Sequence, residues 1–484
     1  MSVQFSFRSG SNPERGAALF RIAIVGDFSG RAPGAEARRE SGPRPTDCDN
    51  FEQEFARMNV ALRLPPDDAG NGEVNLRFQQ LDDFHPDRLI DKVEPLARLA
   101  RLRTGLLNPA TANQAESELG GVPESGAPSP GPVPAPSEST EGLLTRLLGQ
   151  SAGERAGEQY ATSSGGIVDR FIRQVVGPNI PGAPPRHGSS IARVEAELST
   201  RLRALLHRPE FQGLEATWRG LDFLVRNVTE EIKLYVIDCS RAELAAAATA
   251  GSEDPVKRAI YRQLETIRPG VILGLYTFGP PDHGVLAGIA GLARACQSAF
   301  VAGASPQLVG CSSFAVQPDP DDWTSESPDE TEKFAALRRK REAACLGLAA
   351  PRFLLRQPYG KTSDPIEAFP FEEMPANPGH ESYLWGNPAL LCGHLLATAA
   401  ADEALEAEYE EGGEVGGLPL HKFTSDGETQ VKPCAEAWLN DRAAAAILSH
   451  GIMPVMSIRG RDAVQVLTLQ SLSDPPAPLA IRAE

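Results

Sequence analysis

The chain of 484 residues is poor in the side chains that build redox and metal sites, and it has no long apolar run. Its seven cysteines occur singly, with no C-x-x-C pair, so we expect neither a disulfide framework nor a zinc ribbon. The eight histidines include no H-x-x-x-H, H-E-x-x-H or H-x-H pair, the spacings that bring two imidazoles to one metal ion. No apolar run approaches the roughly 20 residues that cross a bilayer. Metal centres, cofactors and membrane spans are therefore not predicted.

An excess of positive charge is missing as well. The 47 lysines and arginines are outnumbered by 64 aspartates and glutamates, which leaves a formal charge of −17. Because phosphate binding requires clustered basic side chains that displace counterions, we expect no nucleic-acid partner. The first residues, Met-Ser-Val-Gln-Phe-Ser-Phe, lack the basic and then apolar pattern of a signal peptide. We predict a cytoplasmic protein that does not insert into membranes, with enough hydrophobic residues (41%) for two to three folded domains.

Catalytic motifs are also absent. No G-x-S-x-G sequence presents a serine nucleophile. The tripeptide Gly-Lys-Thr at 360–362 is typical of the end of a phosphate-binding loop, but Leu355 stands where that loop requires glycine. Prolines at 358 and 365 flank the tripeptide, whereas a phosphate-binding loop joins a strand to a helix. A nucleotide site is therefore excluded on motif grounds.

The remaining polar clusters have structural interpretations. The acidic pairs at 82–83 and 372–373 indicate caps or interfacial charges, because paired acids alone are common on protein surfaces. Asp27, Ser29 and Gly30 have neither G-x-G-x-x-G spacing nor a following lysine, so they predict a capped turn. We predict no catalytic, cofactor-binding or metal-ligating residue, and hence a protein that is not an enzyme.

Residues 1–107 are predicted to form an α+β domain. The apolar run at 22–25 predicts a buried strand, and residues 74–78 alternate as a second strand. Helical spacing after a capping residue predicts a helix over 51–58, and Pro86 opens a further helix. That helix carries its apolar side chains on one face: Leu89, Ile90, Val93, Leu96 and Leu99.

The first residues of this domain predict an additional strand. Val3, Gln4, Phe5, Ser6 and Phe7 alternate apolar and polar side chains, the period of a half-buried strand. Such a strand either pairs within its own domain or adds to the sheet of another subunit through backbone hydrogen bonds. The alternation itself is equally compatible with both arrangements.

Residues 108–140 are predicted to be a disordered linker. The composition changes there to Pro, Gly, Ser, Ala and Glu, with seven prolines and four glycines. Such a segment buries too little apolar area to offset its ordering entropy. As a coil it would span roughly 30 Å and hold the flanking parts at an effective concentration on the order of millimolar. We therefore expect it to couple the two parts one to one.

The segment 141–188 begins with a short amphipathic helix. Leu143, Leu144, Leu147 and Leu148 lie on one stripe of the octapeptide Glu-Gly-Leu-Leu-Thr-Arg-Leu-Leu. Eight residues form a marginal helix on their own, so docking on the chain's own core is one interpretation of the stripe. Recognition by another protein is the other.

Residues 189–484 are predicted to form an α/β domain with a mixed sheet and flanking helices. A helix starting near Ser189 or Ser190 carries its apolar side chains on one face: Ile191, Val194, Leu198, Leu202, Leu205 and Leu206. A second helix opens at Pro209 and is predicted to bury Phe211, Leu214, Trp218, Leu221 and Leu224. Strand-like apolar runs are present at several places, namely 234–237, 271–278, 300–304, 452–458 and 464–469, and a helix is predicted over 285–299.

Aromatic side chains in this domain are candidates for protein contacts. Trp218 lies on the apolar face of the second helix, which favours core packing over an interface. Tyr383, Leu384, Trp385 and Asn387 lie between loop-like segments, and aromatic residues supply much of the binding energy at interfaces. We therefore predict an interface at these four residues.

Several runs in both parts carry a family resemblance. In the first part they are residues 21–31 (Arg-Ile-Ala-Ile-Val-Gly-Asp-Phe-Ser-Gly-Arg), 50–58, 74–90 with its F-x-x-L-D-D-F-x-P-x-R pattern, and 93–99. In the second part they are residues 207–225, 304–306, 351–360, 369–373, 383–387, 416–419, 434–436 and 440–442. The first set resembles the small contractile-sheath subunit of bacterial type VI secretion systems, and the second resembles the large subunit. The chain thus looks like a fusion of both.

The resemblance implies a mechanical, phage tail-like function without cofactors. Sheath subunits stack around an inner tube and switch collectively to a shorter, wider lattice that propels the tube. The implied partners are the chain itself or other sheath subunits, the inner tube protein, the baseplate and an AAA+ unfoldase. In the family an amphipathic helix like that at 143–148 is recognised by the unfoldase, and the strand at 3–7 links neighbouring subunits.

The sequence departs from the family pattern at three places. The family's G-D-Y reads Gly-Leu-Tyr at 274–276, and its E-D-x-R-Y-x-G-L has diverged at 342–348. The large subunit continues after the counterpart of 470–476 into a C-terminal domain that carries interlocking strands, whereas this sequence ends at Glu484. We expect either a fused sheath protomer completed from elsewhere or a sheath-derived cap or baseplate adaptor that does not polymerise.

Overall fold

The structure is a computed structural model, and it describes residues 20–30, 43–120, 187–325, 327–374, 379–401, 412–425 and 427–481. The strands are β1 (Arg21–Gly26), β2 (Pro45–Thr46), β3 (Ala61–Leu64), β4 (Val74–Arg77), β5 (Lys233–Asp238), β6 (Val271–Phe278), β7 (Ala299–Ala304), β8 (Leu346–Ala350), β9 (Phe353–Leu354), β10 (Trp385–Gly386), β11 (Gly413–Val415), β12 (His421–Ser425), β13 (Glu428–Lys432), β14 (Ile452–Ser457) and β15 (Val464–Val466). The helices are α1 (Phe51–Met58), α2 (Pro86–Lys92), α3 (Glu94–Leu107), α4 (Ala112–Leu119), α5 (Gly188–Leu206), α6 (Pro209–Asn227), α7 (Arg241–Thr249), α8 (Pro255–Ile267), α9 (His283–Ala295), α10 (Pro328–Arg338), α11 (Ala389–Ala401) and α12 (Asp441–Ser449).

A mixed sheet of nine strands organises the described residues. Its order is β11-β15-β14-β8-β7-β6-β1-β5-β2. The strands from β14 to β5 run parallel, while β15, β11 and β2 pair antiparallel with their neighbours. Helices α7, α8 and α9 contribute to a hydrophobic core that also includes side chains of β1, β5, β6, β7 and β8. The predicted α/β class with a mixed sheet is confirmed.

The position of β1 in this sheet follows from its sequence. Ile22, Ala23, Ile24 and Val25 are each at most 2% exposed, because side chains on both faces of the strand are covered. A central parallel strand requires such a continuous apolar run, whereas an edge strand of an antiparallel sheet alternates. The strand predicted at 22–25 is therefore the one that the structure buries between β5 and β6.

The two helices predicted around residue 200 are confirmed. The predicted apolar face of α5 is buried from Val194 to Leu206, although the helix begins at Gly188, slightly before the predicted cap. Pro209 occupies the first turn of α6, where its missing N–H costs nothing. The apolar face predicted for α6 is buried throughout: Phe211, Leu214, Trp218, Leu221 and Leu224.

Two helix boundaries differ from the prediction. The helix expected after Pro86 is interrupted at Val93, because Pro95 has no N–H and its ring is accommodated only in the first turn of a new helix. The helix expected over 285–299 ends at Ala295, since Gln297 adopts a positive φ of 54° and β7 begins at Ala299. In both cases the apolar spacing continues past the residue at which the helix ends, so the spacing alone does not show the end.

The predicted linker is corrected at its beginning. Residues Ala112–Leu119 form α4, and Ala112, Ala115 and Leu119 are buried. These three positions have the i, i+3, i+7 spacing of a helix face. The Pro- and Gly-rich residues that follow them dominate the average composition of 108–140, so the prediction assigned the whole range to the linker. The remainder of the predicted linker, from 121 to 140, lies outside the described residues.

The described chain divides into two compact units that do not follow the predicted domain limits. One unit comprises the described residues up to 98 and from 198 onwards, and the other comprises the described residues between 99 and 197. In the smaller unit Arg103 Nε lies 2.7 Å from Glu195 Oε1, and Ser190 Oγ donates to Glu116 at 2.9 Å. In the larger unit the nine-stranded sheet takes strands from both predicted domains. Limits at 107 and 189 therefore do not separate folded bodies.

None of the helices in the described part of the chain is both long enough and apolar enough to cross a bilayer.

Candidate functional site at the junction of the two segments

The candidate functional site is the junction inside the larger compact unit, where an N-terminal segment (residues 20–98) meets a C-terminal segment (residues 198–481). Strand β1 of the N-terminal segment pairs in parallel with β5 on one side and with β6 on the other. Ile22, for example, lies opposite Leu234 in β5 and Val271 in β6. The C-terminal segment thus surrounds a strand that comes from the other segment.

A carboxylate holds the loop that follows β1. Asp238, at the end of β5, accepts hydrogen bonds from the backbone N–H groups of Phe28 and Ser29 at 3.0 and 3.1 Å and from Ser29 Oγ at 2.8 Å. Gly30 N–H donates to Asp27 Oδ1 at 3.0 Å, which confirms the predicted capped turn. The role of Asp238 was not predicted, although a carboxylate directly after a buried strand was the available signal.

The geometry of Gly30 explains why glycine is required in this turn. Its φ is +64°, and a Cβ at this position would lie 2.6 Å from the carbonyl oxygen of Ala61. Any larger residue would be strained in its backbone and would also displace the neighbouring chain. The turn therefore fixes how close the loop approaches β3.

An aromatic cluster fills the interior of the junction. Trp218 of α6 is fully buried, and its ring centroid lies 5.2, 5.9 and 4.1 Å from those of Phe28, Phe51 and Phe55. Its Nε1–H donates to the carbonyl oxygen of Phe28 at 2.8 Å. Phe211, about two turns earlier on α6, packs against Phe78 and Phe84 of the N-terminal segment. The prediction that Trp218 packs in the core is confirmed.

Polar contacts tie the rim of the junction. Arg201 Nη1 donates to the carbonyl oxygen of Gly70 at 2.8 Å, and Asn71 Nδ2 donates to the carbonyl oxygen of Arg201 at 3.0 Å. Asp87, at the start of α2, accepts from the backbone N–H groups of Glu367 and Ala368 at 2.9 and 3.0 Å. The apolar centre with a hydrogen-bonded rim is the anatomy of a protein–protein interface, here made within one chain.

The acidic pair at 372–373 contributes to a buried ion network. Glu373 is 1% exposed and binds Arg356 with contacts of 2.7 and 3.0 Å, and Arg356 Nε donates to Glu215 Oε1 at 2.9 Å. Arg219 binds the same Glu215 oxygen at 2.7 Å. These contacts correct the expectation of a cap or interfacial charge for Glu373, because the carboxylate is internal and paired.

The electrostatics of Glu373 follow from its surroundings. Burial alone would raise the pKa of this carboxyl, but Arg356, His207 and the backbone N–H of Tyr359 outweigh burial and lower the pKa from 4.5 to about 2. His207 Nε2 lies 3.7 Å from Glu373 Oε1 at the end of α5. The network therefore fixes the turn between α5 and α6 to the loop after β9.

The residues predicted as an interface are covered by their own chain. Tyr383, Leu384 and Trp385 are 3%, 2% and 8% exposed. Trp385 Nε1–H donates to the carbonyl oxygen of His380 at 3.0 Å. Asn387 Nδ2 donates to the carbonyl oxygen of Tyr276, the last residue but two of β6, at 2.9 Å. Tyr383, Leu384 and Trp385 pack against their own chain, so a partner that binds in this region would contact exposed neighbouring residues instead of these three.

A second cluster of charges lies beside Trp385. Oxygen and nitrogen atoms of His380, Glu381 and Glu436 come within 4.8 Å of one another, which is close enough for a metal ion. Arg352 already binds both carboxylates, and Lys432 Nζ lies 2.8 Å from His380 Nδ1. Two cationic side chains thus balance two carboxylates, and we interpret the cluster as an ion-pair network.

The strand predicted at residues 3–7 and the helix predicted at residues 143–148 lie outside the described residues. Both stay predictions.

Comparisons with known proteins match both of the segments that form the junction. A protein-family model described as the tail sheath N-terminal domain (VipB, EvpB) matches residues 188–473, which is more than half of the chain. A second model, described as VipA of the type VI secretion system, matches residues 2–119. This second match includes α4, in agreement with the corrected linker limit.

A curated relative matches as well. The type VI secretion system sheath protein TssC1 of Pseudomonas aeruginosa is 31% identical over an alignment of 309 residues, and the match covers 59% of this chain. The chain spans 61% of the length of that relative.

These matches place the chain, with its two segments, in the tail-sheath class of proteins. The chain belongs to the sheath protein family of type VI secretion systems, with a VipA region and a VipB region joined in one polypeptide.

Proposed function

We propose that the chain is a structural subunit of a type VI secretion contractile sheath in which one polypeptide does the work of a small and a large subunit. The observation that carries this proposal is the insertion of β1 between β5 and β6. Such a shared sheet makes the pair of segments one mechanical body, because backbone hydrogen bonds on both sides of β1 must break together before the segments separate.

The mechanism that we propose is a collective change of lattice. Subunits stack around an inner tube protein in an extended arrangement and switch to a shorter and wider one, which propels the tube. Within each subunit the aromatic cluster around Trp218 and the buried ion network around Arg356 resist deformation, since both are closely packed and internally paired. Motion is then concentrated at contacts between subunits. No catalytic step is part of this proposal.

Three further elements of the proposal concern partners. We assign residues 3–7 the role of a donor strand that adds to the sheet of a neighbouring subunit. We assign the helix at 143–148 to recognition by an AAA+ unfoldase after contraction. The baseplate is the proposed partner at the end of the sheath, and the cytoplasm is the proposed location. Support for these elements comes from the sequence pattern and from family membership.

Negative-stain electron microscopy of the purified chain tests the proposal. The chain is imaged alone and after co-expression with the products of neighbouring genes, and we expect long striated hollow tubes. A matched variant that lacks residues 2–8 removes none of the residues that the structure describes, and it should lose the tubes because it lacks the proposed donor strand. Compact particles under every condition would contradict the sheath role and favour a cap that binds the ends of native sheaths.

A further inference from the structure

A surface groove beside the hairpin β12–β13 has no role in the junction. Its volume is about 740 Å³. Its lining comes from the hairpin, from Pro433, Cys434 and Trp438 after the hairpin, and from Ser457 and the turn between β14 and β15. Burial raises the pKa of the Cys434 thiol to about 11, so this thiol carries no charge at neutral pH.

The hairpin has two different faces. His421 and Lys432 stand opposite each other in register and lie on the face that contacts Tyr383 and Trp385. Lys422 and Val431 form the next opposed pair, so their side chains lie on the other face, which lines the groove. The inner face anchors the hairpin, and the outer face is left exposed.

Two exposed apolar side chains lie at this groove. Among the described residues four large apolar side chains are more than a third exposed, and two of them, Val431 at 40% and Trp438 at 39%, line it. The Arg459 guanidinium lies over the Trp438 ring at 5.8 Å from its centroid, which holds both side chains in place. Tryptophan and arginine are the residues that most often dominate binding energy at protein interfaces.

The charge of the groove is opposite to that of the chain. Lys422 and Arg459 have no carboxylate within ion-pair distance among the described residues, and Arg461 binds Glu414. Asp462 is the acidic residue of the lining. The groove is therefore locally cationic on a chain whose formal charge is −17.

We propose that this groove is an assembly contact that receives an acidic, apolar-bearing segment of a second copy of this chain. The anchors are Val431 and Trp438, and Lys422 and Arg459 supply the charge complementarity. We assign a second copy as the occupant because every copy carries a formal charge of −17, so the acidic surface of another copy complements the charge of this groove. The inference rests on the proposed function for its setting, since it adds a contact within the assembly.

Sedimentation velocity of the full-length chain tests the contact. Trp438→Ser should weaken self-association by about 30-fold, because a buried aromatic anchor is lost. Lys422→Glu with Arg459→Glu should weaken association at low salt and reverse its salt dependence, since attraction to the acidic segment is replaced by a repulsion that added salt screens. Val316→Ser, at an isolated site that is 74% exposed, is the matched apolar control.

The charge control is the double variant Lys340→Glu with Arg341→Glu. It makes the same change in net charge at exposed residues outside the groove. The charge variants and Val316→Ser should unfold at the temperature of the unmodified chain, because their side chains face solvent. Trp438 is 39% exposed, so Trp438→Ser is compared with the unmodified chain at a temperature at which both have the same circular dichroism spectrum.

The outcomes separate this inference from the proposed function. Tubes that form in the unmodified chain and are lost only in the groove variants support both. Tubes that form equally in the groove variants overturn the groove contact and leave the sheath role standing. Discrete oligomers without tubes that the groove variants lose support the contact and overturn the sheath role. A chain that stays monomeric at every concentration overturns both.

A photo-crosslinking experiment identifies the occupant. A photoreactive amino acid replaces Val431 in a mixture of unlabelled and ¹⁵N-labelled copies. Crosslinks that join a light and a heavy peptide, the partner peptide being acidic, support the proposal. Crosslinks found only within one copy, or only to another protein, overturn it.

Discussion

Trp218→Ala is the perturbation that most directly tests the junction. The side chain is fully buried, its ring contacts Phe28, Phe51 and Phe55 of the N-terminal segment, and its Nε1–H donates to the carbonyl oxygen of Phe28. Alanine removes all of these contacts at once. The substitution therefore acts on the packing between segments and leaves each strand of the sheet unchanged.

The expected loss is large compared with the stability of a typical protein. Truncation of a buried tryptophan to alanine costs about 3–5 kcal/mol in free energy of unfolding. The carbonyl oxygen of Phe28 also loses its partner, which adds about 1 kcal/mol if no water replaces the indole. Because total stabilities are about 5–15 kcal/mol, we expect Trp218→Ala to lose a major part of the native stability. Trp218→Phe retains most of the ring and should lose about 1–2 kcal/mol.

The measurement is urea unfolding followed by far-ultraviolet circular dichroism, together with limited proteolysis at fixed protease. Trp438→Ala is the control, since this tryptophan is 39% exposed and outside the junction. In Trp218→Ala the first transition should shift to lower urea, and cleavage should begin in the N-terminal segment. A shift no greater than that of the control would refute the argument that this ring holds the segments together.

Three further predictions concern the junction and the buried ions. Gly30→Ala should destabilise the chain by about 1–3 kcal/mol, because the residue has a positive φ and faces the Ala61 carbonyl, and thermal unfolding checks this. Asp238→Ala should make the loop after β1 exchange its amide hydrogens faster while β5 itself stays protected; unchanged exchange at that loop would contradict the role of the carboxylate. The pKa of Glu373 and of Glu436 is lowered from 4.5 to about 2, so the stability that they contribute is fully present above pH 4.5 and falls as the pH decreases towards 2. A pH titration of the unfolding midpoint should therefore be less steep over this range in Glu373→Gln, although that variant starts from lower stability.

Local patterns were sufficient for most elements of the chain. The apolar runs at 22–25 and 271–278, the helix at 51–58 and the helix that opens at Pro209 all appear in the structure close to the predicted positions. These elements are specified by neighbouring residues, because periodic apolar side chains and a proline in a first turn act over one or two turns of chain.

Contacts distant in sequence were beyond such patterns. Asp238 and Ser29 are separated by 209 residues. Arg356 bridges the carboxylates of Glu373 and Glu215, and Glu215 stands 141 residues before Arg356 in the sequence. The burial of Tyr383, Leu384 and Trp385 was not predicted, since the loop-like residues on either side of them do not reveal which other segments cover these side chains. A single chain without pairing information cannot distinguish a covered aromatic side chain from one that awaits a partner.

The sequence by itself determined the class of the fold, the absence of recognisable catalytic and metal motifs and, through its two sets of family-like runs, the union of two sheath regions in one chain. Only the tertiary structure decided that the two regions are not separate domains, because β1 is placed between β5 and β6 by hydrogen bonds to strands more than 200 residues away. The physical reason is that local side-chain order encodes whether a strand is buried on both faces, whereas the identity of its neighbours depends on which partners the whole chain leaves available.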